Sequence, residues 1–405
     1  MRTLSALVVA FAALSLGVSC SGSESGRADA EPRTTEPATE PATEPEPAEE
    51  PDAPPDTGPS REIWISQEEL MRLPTSGNAW DRLKAGADDE SGSADLSNQN
   101  SNHDAKTLAQ ALVYARTGDE SYREKAAEGI GEAIGTEDDG RTLELGRNLL
   151  SYVIAADLID LAAYDPDGEA EFRAWLRSVR NEPLGSEAVE GQTLVGTAER
   201  SPSNWGGMAG ATRAAIAVYL DDEEDLARQA TVMKGWLGDR SAYPGIPSTE
   251  FEREDAGKGL HFGGSEDDLS WQADPARPVG VNPKGAEKEG HSIDGALPDD
   301  MRRGGSFAWP PGYTQYPREA LSGYVALAEI LFRQGYDVYE WEDRALLRAT
   351  TFLWELEQEF PDEEWWEPGV PVYWIVNYRY ETSFPVTGRG FGRNVGWTDW
   401  THAPR

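Results

Sequence analysis

Residues 203–220, SNWGGMAGATRAAIAVYL, place a polar Asn and a large Trp before a run of mostly small side chains. Glycine and alanine allow neighbouring backbones to approach closely, so this run is predicted to be an inner helix. A polar residue at a helix start has two uses. The Asn204 side chain either caps the helix, by accepting a hydrogen bond from a free backbone N–H, or faces a cleft. Capping is the more common use.

The first 20 residues resemble a bacterial export signal. Arg2 precedes a short apolar run at 7–14, and the only cysteine of the chain follows at Cys20. The run is too short to span a membrane. Residues 16–20, LGVSC, resemble a lipoprotein processing site, whose cysteine receives the lipid. We therefore expect 1–20 to be a lipoprotein-type signal peptide and the protein to be exported and lipid-anchored at Cys20 on the extracytoplasmic face of the membrane. Secretion without an anchor is the alternative.

Residues 21–60 are composed largely of Glu, Pro, Thr and Ala. Such a segment has too few apolar side chains to offset its chain entropy, so it is predicted to be a disordered stalk. Residues 61–405 are predicted to form the folded domain. That length is enough to bury a substantial core, and a single cysteine forms no internal disulfide.

The chain is strongly acidic, with 36 Lys and Arg against 73 Asp and Glu and a net charge of −37. The negative electrostatic field of such a chain argues against nucleic acid as a partner. It also argues against membrane contact by any route other than the lipid anchor. A polyanionic ligand requires a locally basic site or a salty medium. Near 1 M salt the Debye length is only about 3 Å, so distant carboxylates cease to matter.

Hydrophobic periodicity predicts helices in antiparallel pairs. Such pairs form bundles, superhelices or closed toroids, and the lack of a fixed-length repeat disfavours an open solenoid. Residues 243–311 are predicted to be a long irregular insert that lines a cleft, and residues 372–376, VYWIV, a short strand. The predicted helices are 67–73, 79–85, 105–117, 122–134, 142–164, 169–180, 206–220, 223–237, 318–334 and 341–359.

Known metal, cofactor and nucleophile motifs are missing from the sequence. The four histidines have no metal-like spacing, and no Cys–His cluster occurs. No phosphate-binding or dinucleotide fingerprint and no Gly-x-Ser-x-Gly elbow is present. We therefore expect neither a metal nor a cofactor.

Three polar segments precede predicted helices: 98–104, 203–205 and 302–321. They are rich in amide, imidazole, guanidinium and phenol groups. In a helical barrel the starts of alternate helices meet at one end, so the three segments are expected to converge there.

Five motifs are distributed over the folded part of the chain, from about residue 100 to 402. They are NHD at 102–104, LGRNL at 145–149, NWG at 204–206, YTQYPREAL at 313–321 and GWTDW at 396–400. Their combination resembles the alginate lyase family of α/α-toroid proteins. The resemblance implies an all-α fold, a toroid or incomplete barrel of antiparallel helix pairs, and metal-independent β-elimination of a uronate-containing polysaccharide.

β-Elimination needs donors that neutralise the uronate carboxylate, a base that removes the neighbouring proton, and an acid for the leaving oxygen. In the family, an Asn–His pair works with an Arg and a Tyr. Asn204 matches the Asn, but Trp205 stands where the family has His. The candidates for the other two roles are Tyr313, Tyr316, Arg302 and Arg303.

Other side chains are candidates for contact with the ligand. His103 and His291 are candidates for the missing imidazole, although a structural role is more common for each. Asn102 is a candidate for binding the sugar. Trp205, Trp271 and Trp309 are candidates for stacking on sugar rings, with core packing as the ordinary alternative.

Three functions follow from these observations. The first is a lipid-anchored polysaccharide lyase. The second is a non-catalytic glycan-binding lipoprotein of the same fold, in which Trp205 marks the loss of the histidine. The third is a glycoside hydrolase that uses paired carboxylates such as those at 266–268.

Overall fold

The computed structural model describes residues 61–89, 92–185, 192–247, 257–391 and 395–404. These residues belong to one compact unit, Ala53–Arg405. Among them are fifteen α-helices: α1 (Gln67–Met71), α2 (Asn78–Asp88), α3 (His103–Thr117), α4 (Glu120–Ala133), α5 (Thr142–Leu158), α6 (Leu161–Tyr164), α7 (Pro166–Val179), α8 (Leu194–Arg200), α9 (Asn204–Tyr219), α10 (Glu223–Leu237), α11 (Pro298–Met301), α12 (Tyr316–Arg333), α13 (Trp341–Glu359), α14 (Val372–Tyr380) and α15 (Thr398–Thr401).

Short strands lie within the predicted irregular insert. Strand β1 (Gly245–Pro247) pairs in parallel with β2 (Leu260–Phe262). Strand β3 (Glu287–Lys288) pairs antiparallel with β4 (His291–Ser292). Helix α11 and a 3₁₀ turn at Arg302–Gly304 follow them. The prediction of an all-α chain is confirmed at this level, and no helix in the described ranges is long and apolar enough to cross a membrane.

The structure differs from the helix prediction at 142–164 and at 194–200. The single helix expected at 142–164 ends at Leu158, because Asp160 adopts left-handed backbone angles with φ 46°, and the short α6 follows. Helix α8 was not predicted, since its seven residues, LVGTAER, are too few to show a clear period.

The strand predicted at 372–376 is wrong, because these residues begin the helix α14. Val, Ile and aromatic residues favour strands only where they cover a pleated, half-buried surface. Here Val372, Tyr373, Val376 and Tyr380 are buried at helical spacing, and the helix packs against α12. Tertiary packing therefore overrides the local preference.

Helix α9 is the inner helix that the small-residue run predicts. It packs against α5 and α12, and all its side chains except Trp205 are buried. A Cβ atom on Gly146 of α5 would lie 3.0 Å from the Ala209 nitrogen, and one on Gly323 of α12 would collide with the Met208 backbone. Glycine at both positions is therefore a condition for the close approach of the three helices.

Contacts between helices form a series that returns to its starting point. Helix α3 packs on α5, α5 on α9, α9 on α12, and α12 on α14. Helix α14 then contacts α15, α15 contacts α2, and α2 packs on α3. Helix α5 is buried along its whole length.

Buried charge joins sequence-distant parts of the fold around Glu329 on α12. Its carboxylate accepts hydrogen bonds from Arg333 Nε at 2.8 Å, Tyr339 Oη at 2.9 Å and Arg379 Nε at 2.8 Å. His402 Nε2 lies 3.3 Å away. Burial favours the neutral carboxyl, but the hydrogen bonds from Arg379 and His402 outweigh it and hold the pKa of Glu329 well below its ordinary value.

Hydrogen bonds attach the first described residues to α5. The Asp157 carboxylate accepts hydrogen bonds from the backbone N–H groups of Arg61, at 2.7 Å, and Ile63, at 3.2 Å. Arg333, a member of the Glu329 cluster, also donates to Glu69 of α1 at 2.7 Å. The first described segment is thus joined to two central helices by buried or half-buried polar contacts.

Gly323→Ala should lower the free energy of unfolding by about 2 kcal/mol, because the added methyl collides with the α9 backbone. Gly131→Ala on α4 is the matched control. Its new Cβ meets no atom within 4 Å, so stability should stay equal or rise by up to about 1 kcal/mol. Urea unfolding followed by circular dichroism measures both variants, and equal midpoints for the two would contradict the close-approach argument.

Glu329→Gln should lower the free energy of unfolding by about 3 kcal/mol at neutral pH, because it leaves buried guanidinium groups without their carboxylate. The pKa of Glu329 is lowered, so its contribution is present above its ordinary value of 4.5 and is lost as pH falls further. The stability gap between wild type and variant should therefore narrow below pH 4.5. A gap that stays constant with pH, measured by urea unfolding, would refute this assignment.

Candidate functional site

A polar cleft of about 530 Å³ opens where the N-terminal parts of α3, α5 and α12 meet the segment before α14. Amide, hydroxyl, guanidinium and carboxylate groups dominate its wall. The lining residues are Gln99, Asn100, Ser101, Asn102, Asp104, Ala105, Arg147, Asn148, Gln315, Arg318, Glu319, Ser322, Glu367, Gly369, Val370, Pro371, Arg389 and Phe391.

Arg147 of α5 fixes one wall of this cleft. Its side chain is 3% exposed and forms an ion pair with Glu319 of α12 at 2.5 Å. It also donates to Gln99 Oε1 at 3.1 Å and contacts Met208 Sδ of α9 at 3.3 Å. Since Asn148 Nδ2 donates to the Asn98 carbonyl at 3.0 Å, the loop before α3 is held against α5 as well.

Arg318 of α12 also lines the cleft, and it is hydrogen-bonded to the hydroxyl of Tyr313. It donates to the Tyr313 hydroxyl at 3.0 Å and to the Glu364 carbonyl at 2.9 Å, and it lies 3.7 Å from Glu367. Tyr313 is 40% exposed, with its ring edge-on to Trp365. Tyr313 is not among the residues that line the cleft, but its phenol is accessible and accepts a hydrogen bond from the cleft-lining Arg318.

Asp104 is a cleft-lining carboxyl in the first turn of α3, and it is buried. Burial raises its pKa to about 7, although hydrogen bonds from the Ala105 backbone and the Ser151 side chain pull it in the other direction. A carboxyl with such a pKa exists in both protonation states near neutral pH.

Two further cavities adjoin the cleft and share residues with it. One of about 380 Å³ shares Gln99 and Asn100 and reaches Arg141. The other, of about 640 Å³, shares Asn102, Arg389 and the exposed Phe391. The cleft is thus the middle part of a longer groove across the loop that precedes α3.

Asn204 is not among the residues that line this cleft. It is 1% exposed, its backbone N–H donates to Asp300 Oδ1 at 3.3 Å, and its side-chain oxygen has no hydrogen-bond partner among the described residues. Of the two uses considered for Asn204, capping does not occur, since the helix begins at Asn204 itself and Ser203 occupies the cap position.

The predicted arginines and Tyr316 form a second cluster beside Asn204. Arg302 pairs with Asp268 and Asp299, each at 2.9 Å, and the Arg303 guanidinium lies 4.0 Å above the Tyr316 ring. None of these side chains lines the cleft. Of the carboxylates proposed for a hydrolase, Asp268 is used by Arg302.

The predicted histidines also lie outside the cleft lining. His103 is buried, with Nδ1 at 2.7 Å from the Tyr152 hydroxyl and Nε2 at 3.2 Å from Glu132, and burial lowers its pKa. His291 stacks on Trp309 with ring centroids 4.6 Å apart. Each ring has a structural partner.

The predicted tryptophans differ in their surroundings. Trp309 donates to Glu359 at 2.8 Å, and the buried Trp271 donates to the Gly305 carbonyl at 3.1 Å, so both stabilise the insert. Half-buried Trp205 lies under Arg141, with 5.4 Å between guanidinium carbon and ring centroid, at the edge of the adjoining cavity. Asn102 is the predicted binding residue that lines the cleft itself, while Cys20 lies outside the described residues.

Most cleft residues are not among those predicted from the sequence. A signal existed for Arg147, a charged side chain inside an otherwise apolar helix and part of the LGRNL motif. Arg318 and Glu319 stood in the YTQYPREAL motif, where the tyrosines drew attention instead. Glu367 and Arg389 lie in irregular segments and carried no signal.

In the described part of the chain, no group of three or more His, Cys, Asp or Glu side chains is arranged to hold a metal ion. Comparisons with models of known protein families and with curated proteins give no match to this chain. The resemblance to alginate lyases therefore stays a prediction from the motifs.

Asp300, which accepts the hydrogen bond from Asn204, is a buried carboxyl with an unusual titration. Burial and the charge of the neighbouring Asp299 raise the pKa of Asp300 well above its ordinary value. One of its carboxyl oxygens has no hydrogen-bond partner among the described residues. The cluster around Asn204 is therefore most stable when Asp300 is neutral.

Asp300→Asn should raise the thermal midpoint at pH 8, with a smaller gain at pH 5. A raised pKa means that stability is full below the ordinary value of 3.8 and is lost as pH rises through the folded-state pKa, and the amide avoids this loss. Asp268→Asn is the control, because Arg302 holds that carboxylate and its pKa is lowered, so this variant should gain nothing at pH 8. Calorimetry measures the midpoints, and a lower midpoint for Asp300→Asn than for the wild type at both pH values would contradict the raised pKa of Asp300.

Proposed function

We propose that the protein binds a uronate-containing polysaccharide in the cleft and cleaves it by metal-independent β-elimination. The observation that carries the proposal is the arrangement of guanidinium and amide groups around the cleft beside the Arg318–Tyr313 pair. Guanidinium groups bind carboxylates, and amides and carboxylates bind sugar hydroxyls. The cleft lining carries three arginines and three carboxyl side chains, so it is far less acidic than the chain as a whole, whose net charge is −37. A salty medium would reduce the remaining repulsion of an anionic ligand.

The elimination assigns a task to each group. Arg318, Arg389 and the amide of Asn102 neutralise the uronate carboxylate while negative charge builds on the neighbouring carbon. Tyr313 removes the proton from that carbon. Arg318 holds the phenol oxygen through its hydrogen bond of 3.0 Å. The ion pair between Arg147 and Glu319 keeps α5 and α12 together at the cleft.

The length of the groove supports a polymer as the ligand. The three adjoining cavities of about 380, 530 and 640 Å³ offer room for several sugar units. Phe391, exposed and shared by two of them, presents an apolar surface of the kind on which sugar rings pack. We infer binding within a chain, with units on both sides of the central cleft.

We also propose the finer fold assignment, an α/α toroid of the alginate lyase type. Two observations support it: the series of helix contacts that returns from α15 through α2 to α3, and the meeting of helix starts at the cleft. Export with lipid attachment at Cys20, and the absence of a nucleic-acid partner, belong to the same proposal and rest on the sequence.

A non-catalytic glycan-binding protein is the second candidate. Asn204, the match to a family catalytic residue, is buried outside the cleft, and Trp205 replaces the family histidine. Both observations favour a protein that keeps the binding groove without the family's chemistry.

Polyuronates incubated with the protein should gain ultraviolet absorbance, because elimination leaves an unsaturated sugar. Tyr313→Phe should lower kcat by about 100-fold, as expected for loss of a proton-transfer group. Tyr316→Phe is the matched control. Neither tyrosine is among the lining residues, but Tyr313 accepts a hydrogen bond from the cleft-lining Arg318, whereas the Tyr316 ring lies under Arg303. Tyr316→Phe should therefore keep the wild-type rate. Assays at low and high salt allow for the repulsion between the acidic protein and a polyanion.

The possible results separate the functions. Saturable binding of a polyuronate without product supports the non-catalytic glycan-binding protein. New reducing ends without a gain in ultraviolet absorbance support hydrolysis. Either result rejects elimination. If product forms but Tyr313→Phe matches Tyr316→Phe in rate, the elimination stands and the role of Tyr313 is wrong.

A further inference from the structure

We propose that Asp104 is the general acid of the cleft, which gives its proton to the leaving glycosidic oxygen. This inference rests on the proposed elimination and adds a residue for which the sequence motifs provided no role. It does not depend on which group is the base.

The position of Asp104 carries the inference. Asp104 is one of the residues that line the central cleft, together with Asn102, Arg147 and Asn148. It is only 7% exposed, so little of it contacts bulk water. A proton donor must lie within hydrogen-bonding reach of the oxygen it protonates, and a cleft-lining carboxyl satisfies that condition for a bound polysaccharide.

Asp104 also has the environment that a carboxylic acid needs to keep its proton at neutral pH. Burial raises its pKa to about 7. The nearby cations are already engaged, Arg147 with Glu319 and Arg318 with Tyr313 and Glu364. The charged or titratable groups on the elements around it are His103 and Lys106 on α3, Glu132 on α4, Arg147 and Tyr152 on α5, Arg318 and Glu319 on α12, and Glu367 and Arg389 on the remaining wall.

A base takes the proton from the carbon beside the uronate carboxylate, and the electron pair of that C–H bond forms the new C=C double bond. The bond between the sugar carbon and the glycosidic oxygen breaks, and the oxygen keeps its electron pair. That oxygen takes the proton of Asp104, which becomes a carboxylate, and the proton held by the base returns to Asp104 through solvent.

Asp104→Asn tests the inference in the wild-type background of the full chain. With alginate as substrate, kcat should fall by about 100-fold while KM changes little, because the amide keeps the shape of the side chain and supplies no acidic proton. Wild-type kcat should decline as pH rises through about 7, since the acid must be protonated, and this decline should vanish in the variant. Asp119→Asn, an exposed helix cap on α4, is the control with unchanged kcat.

Ser151→Ala is a second variant that keeps Asp104 in place. The Ser151 hydrogen bond lowers the pKa of Asp104, so its removal should shift the decline in kcat to higher pH. A purely structural role for Asp104 predicts no such shift.

The outcomes distinguish the two proposals. If the wild type forms no unsaturated product from alginate or another polyuronate, the elimination fails and the role of Asp104 fails with it. Two results would overturn the assignment of Asp104 while leaving the elimination intact. One is product formation by Asp104→Asn with the wild-type kcat and the wild-type decline of kcat with pH. The other is a decline of kcat in Ser151→Ala at the same pH as in the wild type.

Discussion

The close approach of α5, α9 and α12 is the constraint on which the rest of the structure depends. Gly146 and Gly323 permit it, because a methyl at either position meets the backbone of α9. The same approach places Arg147 of α5 beside Glu319 of α12 and Met208 of α9. One wall of the cleft is therefore a direct product of backbone packing, and the loop before α3 attaches to that wall through Gln99.

The sequence was informative where one physical signal dominated. The small-residue run predicted a buried inner helix, and α9 is one. The signal was misleading at 372–376, where residues that favour strands are buried at helical spacing against α12. The site was harder, since its residues come from α3, α5, α12 and two irregular segments. Spacing along the chain does not reveal which of several tyrosines and arginines lie near a common cavity. The sequence therefore did not distinguish Tyr313, which is hydrogen-bonded to the cleft-lining Arg318, from Tyr316, which lies under Arg303.

Buried carboxyl groups serve opposite purposes in this fold. Glu329 is charged and surrounded by donors, and it links α12 to the C-terminal part of the chain. No ion pair with a guanidinium group is seen for Asp104 or Asp300 among the described residues, and burial raises the pKa of each. The first kind stabilises the fold, whereas the second kind costs stability when ionised. Buried groups of that second kind are often found where proton chemistry occurs.

The attachment of Arg61 and Ile63 to Asp157 has a mechanical consequence. A pull on the chain ahead of residue 61 reaches these two hydrogen bonds before it reaches any helix. Both bonds end on one carboxylate, so they share the load. That carboxylate belongs to α5, which is buried along its whole length, and tension therefore enters the middle of the domain without peeling α1 away first. Under the proposed lipid attachment at Cys20, a pull on the domain would therefore act first on a helix whose residues are all buried.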